Sequence, residues 1–240
     1  MVSRLNIKPS DEVWEIGPGS GELTTGLIGK PGFLRLFEID SRFTACLDEI
    51  CGRSESIRIH WGDVLKLDLS GFNHGNNLLI CGNLPYYCGT RIIRELLMLA
   101  PPAKKLVFLL QQEVVKKAAA NPGEKDFGFL SVCVQLFAEA IIGETFSPAS
   151  FYPNPQVSST IIEFLPFRLS EAEKFLRMKV MKLASVLFEH RRKMALPLLR
   201  KTFPGVIPAW EERFSKLGLS EQIRGERISI PKYLQLAEGT

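Results

Sequence analysis

Between residue 11 and about residue 166, short runs rich in β-branched and aromatic residues alternate with amphipathic stretches. Several of the runs are almost continuously apolar and end in Gly, Asp or Asn. The runs lie at Glu12–Ile16, Phe33–Ile39, Ser56–Trp61, Asn77–Cys81, Lys105–Leu110, Ala138–Phe146 and Thr160–Leu165. Helical periodicity fits Glu22–Gly29, Ser41–Cys51, Thr90–Ala100, Gln112–Ala120 and Phe127–Phe137. A strand that is apolar on both faces must be covered on both faces, so this alternation predicts a mostly parallel sheet between helices, an α/β fold. The last two runs have no room for a long helix between them and are expected to form an antiparallel pair.

After Pro166 the pattern is helical only. Ser170 with Glu173 has capping-box spacing at the head of a long helix expected to reach about Arg192. Shorter helices are expected at Ala195–Thr202, Pro208–Leu217, Ser220–Gly225 and Pro231–Leu236. The reading is therefore two domains, 1–166 and 167–240, the second small and all-helical.

Charge follows this division. Residues 1–167 carry 15 Lys/Arg against 18 Asp/Glu, net −3, and residues 168–240 carry 15 against 8, net +7. A basic helical region beside a near-neutral body suits a polyanionic partner, although a solvated Lys/Arg-rich face has the same composition. With 45% hydrophobic and 23% charged residues, the chain is neither disordered nor fibrous. The apolar run Leu106–Leu110 is far short of the ~18–20 residues of a membrane span, and MVSRLNIKPSDEV has no signal-peptide core. Five cysteines (46, 51, 81, 88 and 133) form no C-x-x-C pair and share no ligand spacing with the three histidines. Reduced, mostly buried thiols, no metal, no membrane and a cytosolic location are expected.

Five motifs carry chemistry. In Val13-Trp14-Glu15-Ile16-Gly17-Pro18-Gly19-Ser20-Gly21-Glu22, a strand enters three alternating glycines and then a helix. Glycine permits a tight turn and close approach of a ligand to the backbone. Glu22 occupies the place of a dinucleotide fingerprint's third glycine, and Pro31 follows Gly29-Lys30 where a P-loop needs Ser or Thr. Phe37-Glu38-Ile39-Asp40 ends the next strand, where an acid can accept hydrogen bonds from both hydroxyls of a cofactor ribose. That holds equally for NAD and for S-adenosylmethionine. Gly62-Asp63-Val64-Leu65 places a carboxylate where it can accept from an adenine amine, though Gly-Asp is also a common turn.

Asn83-Leu84-Pro85-Tyr86 follows the fourth strand. The Asn83 side-chain oxygen and the Leu84 carbonyl can hold the two hydrogens of an exocyclic amine. Pro85 stiffens that carbonyl, and Tyr86 offers a stacking face. Finally, Phe151-Tyr152-Pro153-Asn154-Pro155-Gln156-Val157-Ser158-Ser159 is an extended loop in which Phe151 could form a second face around an extruded base, or simply pack inward.

Together these residues resemble the ribosomal RNA adenine dimethyltransferase family, over about residues 5–236. Phe188-Glu189-His190-Arg191-Arg192-Lys193 and Arg227-Ile228-Ser229-Ile230-Pro231-Lys232-Tyr233 are similar to its C-terminal segments. The resemblance implies a class I methyltransferase, with a Rossmann-like seven-stranded sheet and a small C-terminal all-helical, RNA-binding domain. It also implies S-adenosylmethionine as donor, held by Glu15, Gly17, Gly19, Gly21, Glu38, Ile39, Asp63, Val64 and Asn83. Asn83, Leu84, Pro85, Tyr86 and Phe151 would act on the base, and Arg191, Arg192 and Lys193 would grip RNA phosphate. The substrate implied is two adjacent adenosines near the 3′ end of small-subunit ribosomal RNA in a pre-ribosomal particle, met by a monomer. A large-subunit adenine dimethylase, or a non-catalytic RNA-binding factor on the same fold, are the alternatives. The family's Gln-Asn-Phe-Leu-like segment is absent from the twelve residues before Val13, so a more open cofactor cleft is expected.

Overall fold

The computed structural model describes residues 1–72, 77–84, 88–152, 154–206 and 209–238. Seven strands form one sheet: β1 (Glu12–Ile16), β2 (Phe33–Glu38), β3 (Ile57–Trp61), β4 (Leu78–Asn83), β5 (Lys105–Gln111), β6 (Ala138–Phe146) and β7 (Ser159–Pro166). Their order is β3-β2-β1-β4-β5-β7-β6. The first five pair in parallel; β7 runs antiparallel to β6, as the missing crossover helix predicts, and it is also antiparallel to β5. The helices are α1 (Val2–Leu5), α2 (Glu22–Leu27), α3 (Thr44–Cys51), α4 (Gly89–Leu97), α5 (Gln112–Ala119), α6 (Phe129–Phe137), α7 (Glu171–Glu189), α8 (Ala195–Thr202), α9 (Ala209–Lys216) and α10 (Ile230–Ala237).

The chain divides into two compact units. Met1–Val115 with Ala138–Phe167 form one, and Lys116–Phe137 with Arg168–Thr240 form the other. The second unit therefore draws α6 and the end of α5 from the middle of the chain, in addition to everything after 167.

In the first unit Val13, Leu34, Leu36, Leu79, Cys81, Val107, Leu109 and Ile161 form a buried face of the sheet with Leu5, Leu27 and Leu47. Residues 1–5 are fastened to the antiparallel end of the sheet by charge. Arg4 pairs with Glu144 and Glu163, and Lys105 Nζ reaches Glu163 at 3.0 Å and the Arg4 carbonyl at 2.9 Å. β4 runs two residues further than apolarity alone predicts, because Gly82 and Asn83 continue the ladder opposite Phe108 and Leu109. A Cβ at Gly82 would overlap the Ile16 carbonyl oxygen, so only glycine lets the ends of β1 and β4 approach this closely.

In the second unit the expected capping box is present: Ser170 accepts from the Glu173 N–H, and the Glu173 carboxylate accepts from the Ser170 N–H. α7 buries Val180, Met181, Leu183, Ala184 and Leu187, and it stops at Glu189 rather than at Arg192. The helix expected at Ser220–Gly225 does not form. Arg224 instead bridges Met194 in extended conformation, the Ala195 N–H donates to the Ile223 carbonyl at 2.8 Å, and a 3-10 turn covers Gly225–Arg227. All five cysteines are free thiols, three of them buried. Among the described residues no helix is long and apolar enough to cross a membrane.

Candidate active site

β1 pairs with β2 on one side and β4 on the other, so the strand order reverses at β1. In an open parallel sheet, ligands bind in the crevice at the carboxyl ends of the strands at such a switch point. The candidate motifs converge there. After Ile16, Gly17 (φ 69°), Gly19 (φ 57°) and Gly21 (φ 90°) all adopt left-handed backbone, which turns the chain tightly into α2. The Gly17 N–H donates to the Phe37 carbonyl at 2.9 Å, binding the turn to the end of β2. A Cβ at Gly21 would stand 2.5 Å from Ile50 Cδ1, so α3 packs directly on this turn.

Glu38 is buried, with its carboxylate aimed back at the turn. Oε2 accepts from the Gly19 N–H at 2.9 Å and Oε1 from the Asp40 N–H at 2.8 Å. Each oxygen keeps lone-pair capacity for a ligand hydroxyl. The Glu38 carbonyl accepts from the Gly62 N–H at 2.7 Å, which carries the chain from β3 into Asp63. Asp63 caps the next turn by accepting from the Leu65 N–H at 3.0 Å.

These residues surround a cleft of about 340 Å³. Its walls include Ile16, Gly17, Glu38, Ile39, Asp63 and Val64. Five of the sequence-predicted cofactor residues thus line one hollow: Gly17, Glu38, Ile39, Asp63 and Val64. Gly19 and Gly21 shape it from behind, through the Glu38 bond and the start of α2. Glu15 stands apart from it, 1% exposed, accepting from Thr24 Oγ1 at 2.7 Å. Burial, reinforced by the charges of Glu38 and Glu22 and only partly offset by the Thr24 bond, pushes the Glu15 carboxyl up to about 7.

Asn83 ends β4 as an exposed residue, and its main-chain carbonyl oxygen lies 3.9 Å from where a Gly17 Cβ would be. It adjoins the cleft wall without being one of the residues that line it. Leu84 is buried and donates its N–H to the Leu109 carbonyl at 3.3 Å, anchoring the segment that follows. Pro85 and Tyr86 lie outside the described residues. Phe151 is half-buried against the first unit's core, its ring edge-on to Phe146 at 6.4 Å, and it does not line the cleft.

Sequence reasoning missed the contribution of α4. Cys88, Arg91 and Ile92 complete the wall, although no motif marks them. The only signal was the helical period that buries Ile92, Ile93, Leu96 and Leu97 and leaves residue 91 off the core face.

In size and donor set the cleft suits S-adenosylmethionine. A volume of a few hundred Å³ accepts a nucleoside. Two carboxylates complement a ligand carrying sulfonium and ammonium charge, and the glycine turn leaves main chain open to it. The strand order, glycine turn and acidic cleft define a class I, S-adenosylmethionine-dependent methyltransferase.

Two solved structures share the fold. One is a dimethyladenosine transferase from Plasmodium falciparum, with TM-score 0.78 and 22% identity, covering 98% of this chain and 93% of that one. The other is the 23S rRNA methyltransferase ErmE, with TM-score 0.68 and 21% identity, covering 99% and 93%. Proteins named ribosomal RNA small subunit methyltransferase A are similar over nearly the whole sequence. That of Nitrosococcus oceani is 34% identical over 237 residues, 98% of this chain and 88% of the relative, and that of Dechloromonas aromatica is 33% identical over 239 residues, 99% and 89%. The sequence profile described as ribosomal RNA adenine dimethylase matches residues 1–205, and the chain belongs to that family.

Proposed function

We propose that this chain methylates the N6 amines of two adjacent adenosines near the 3′ end of small-subunit ribosomal RNA. Its nearly full-length similarity to small-subunit methyltransferases supports that substrate. The observation that carries the chemistry is the approach of the Asn83 main chain to Gly17 at the ends of β1 and β4, which sets that residue beside the cleft walled by Glu38 and Asp63. When bound, S-adenosylmethionine supplies a methyl group made electrophilic by its sulfonium. Glu38 accepts from the ribose hydroxyls and Asp63 from the cofactor's adenine amine.

The target amine is a poor nucleophile because its lone pair is delocalised into the ring. Asn83 Oδ1 and the Leu84 carbonyl hold its two hydrogens and favour a pyramidal nitrogen. Fixed acceptors of this kind stabilise the positive charge that arrives on nitrogen, at little reorganisation cost. Tyr86 and Phe151 supply the apolar faces for the extruded base, and Glu15, turned into α2, sets the turn without meeting the ligand.

The second unit supplies the grip on RNA. Arg192, Lys193, Lys201 and Arg224 surround a cavity of about 550 Å³ floored by Met194, Pro197 and Leu198. Arg191 pairs with Glu226 and donates to the Lys125 carbonyl at 2.7 Å, and we assign it to holding this unit together rather than to the grip. The acceptor is a pre-ribosomal particle in the cytoplasm, engaged by a monomer.

Methyl transfer from tritiated S-adenosylmethionine to isolated, undermethylated small and large subunits tests the assignment. Label in the small subunit is expected. Label confined to the large subunit makes the chain a large-subunit dimethylase, and RNA binding with no cofactor binding makes it a non-catalytic factor.

A further inference from the structure

The cofactor cleft holds one cation that no motif explains. Arg91 stands in the first turn of α4, and its exposed side chain lines the same hollow as Glu38, Asp63 and Val64. Arg94, one turn on, is spent on Glu95 at 2.8 Å. Among the described residues the Arg91 guanidinium makes neither an ion pair nor a hydrogen bond, although two carboxylates share its wall. α4 packs against the turn Val64–Lys66, which puts Arg91 at the Gly62–Leu65 end of the cleft. The walls there are otherwise apolar side chains and the Asp63 carboxylate, a setting for a flat heterocycle rather than for a second anion.

We propose that Arg91 binds the adenine ring of the cofactor, stacking its guanidinium plane on one face while Asp63 accepts from the exocyclic amine. This rests on the cleft being the S-adenosylmethionine site. A guanidinium is planar and weakly hydrated, so it stacks on a π-face and gives up little solvation in doing so. A lysine ammonium at the same place is a hydrated point charge and cannot lie flat. Arg91 is then a specificity residue: it holds the nucleoside half of the ligand and is indifferent to the sulfur substituent.

Calorimetric titration without RNA tests this, using S-adenosylhomocysteine and 5′-methylthioadenosine, the second of which lacks the amino-acid half. The proteins are wild type, Arg91→Ala, Arg91→Lys and Asp63→Ala. Arg91→Ala is expected to weaken both ligands by the same factor, about 5- to 30-fold, with the loss persisting at high salt. Arg91→Lys should recover less than half of it.

Loss for S-adenosylhomocysteine alone would move the contact to the amino-acid half and overturn the proposal. So would full recovery by lysine. Unchanged binding in Arg91→Ala, with loss in Asp63→Ala, leaves the cofactor site standing and removes Arg91 from it; a rise confined to the KM for small subunits then makes Arg91 a phosphate contact. A wild-type protein that takes up neither ligand refutes the cofactor reading itself.

Discussion

Glu15→Gln isolates the energetics on which the cofactor turn is built. The carboxyl is buried at the end of β1 with one hydrogen bond, from Thr24, and its pKa is pushed up from 4.5 to about 7, chiefly by loss of water. The folded state therefore holds this proton more tightly than the unfolded chain does. The stability that the proton provides is complete below about pH 4.5 and is lost as pH rises through 7. At 1.36 kcal/mol per pH unit the difference amounts to about 3 kcal/mol by pH 8. Glutamine keeps the shape and can accept the Thr24 bond, and it carries no charge at any pH. The variant should match wild type to within about 0.5 kcal/mol at pH 4.5 and exceed it by about 2–3 kcal/mol at pH 8. In a chain of this size that raises Tm by roughly 5–10 °C. Thermal and urea unfolding from pH 4.5 to 8.5 measure both curves. Parallel profiles, or a Glu15→Gln protein less stable at pH 8, would refute a buried carboxylate that costs the fold its stability when charged.

Gly82→Ala should cost about 2–3 kcal/mol in urea unfolding and abolish S-adenosylhomocysteine binding, because the new Cβ must push β4 away from the Ile16 carbonyl. Unchanged binding would mean that the two strand ends need not touch. Arg192→Ala with Lys193→Ala should reduce the slope of log K against log salt for RNA by about 1.4–1.8, whereas Arg191→Ala, which breaks the Glu226 and Lys125 contacts, should lower Tm instead. Equal effects of all three on RNA affinity would contradict that division of labour. Phe151→Leu keeps the apolar volume packed on the core and removes the ring, so kcat/KM on small subunits should fall about tenfold with Tm nearly constant. A fall in Tm alone would reduce Phe151 to core packing.

The sheet was legible in the sequence because its strands are apolar runs cut by Gly, Asp and Asn, and the absent crossover helix before β7 disclosed the antiparallel end. β4 was read two residues short, since Gly82 and Asn83 have low strand propensity and enter the ladder because their neighbours pair them. The Ser220–Gly225 stretch looks helical by composition. The bridge from Met194 to Arg224, a contact between residues thirty apart, overrides that preference. α1 is a single turn and has no period to detect. At the site, glycines and strand-end acids announce themselves by spacing. Arg91 does not, because its place depends on how α4 lies against the turn at 64–66. Arg191 sits in a basic triplet that reads as one patch, yet it is ion-paired to Glu226, thirty-five residues away, a contact that spacing does not disclose.

The most direct test is the N6,N6-dimethyladenosine content of small-subunit RNA, measured by mass spectrometry after incubation with S-adenosylmethionine and either wild type or Asn83→Ala. If an amide beside the glycine turn holds the target amine, wild type forms the doubly methylated base and the variant does so about 10²-fold more slowly or worse. Dimethyladenosine appearing at the wild-type rate with Asn83→Ala would contradict the account at its centre.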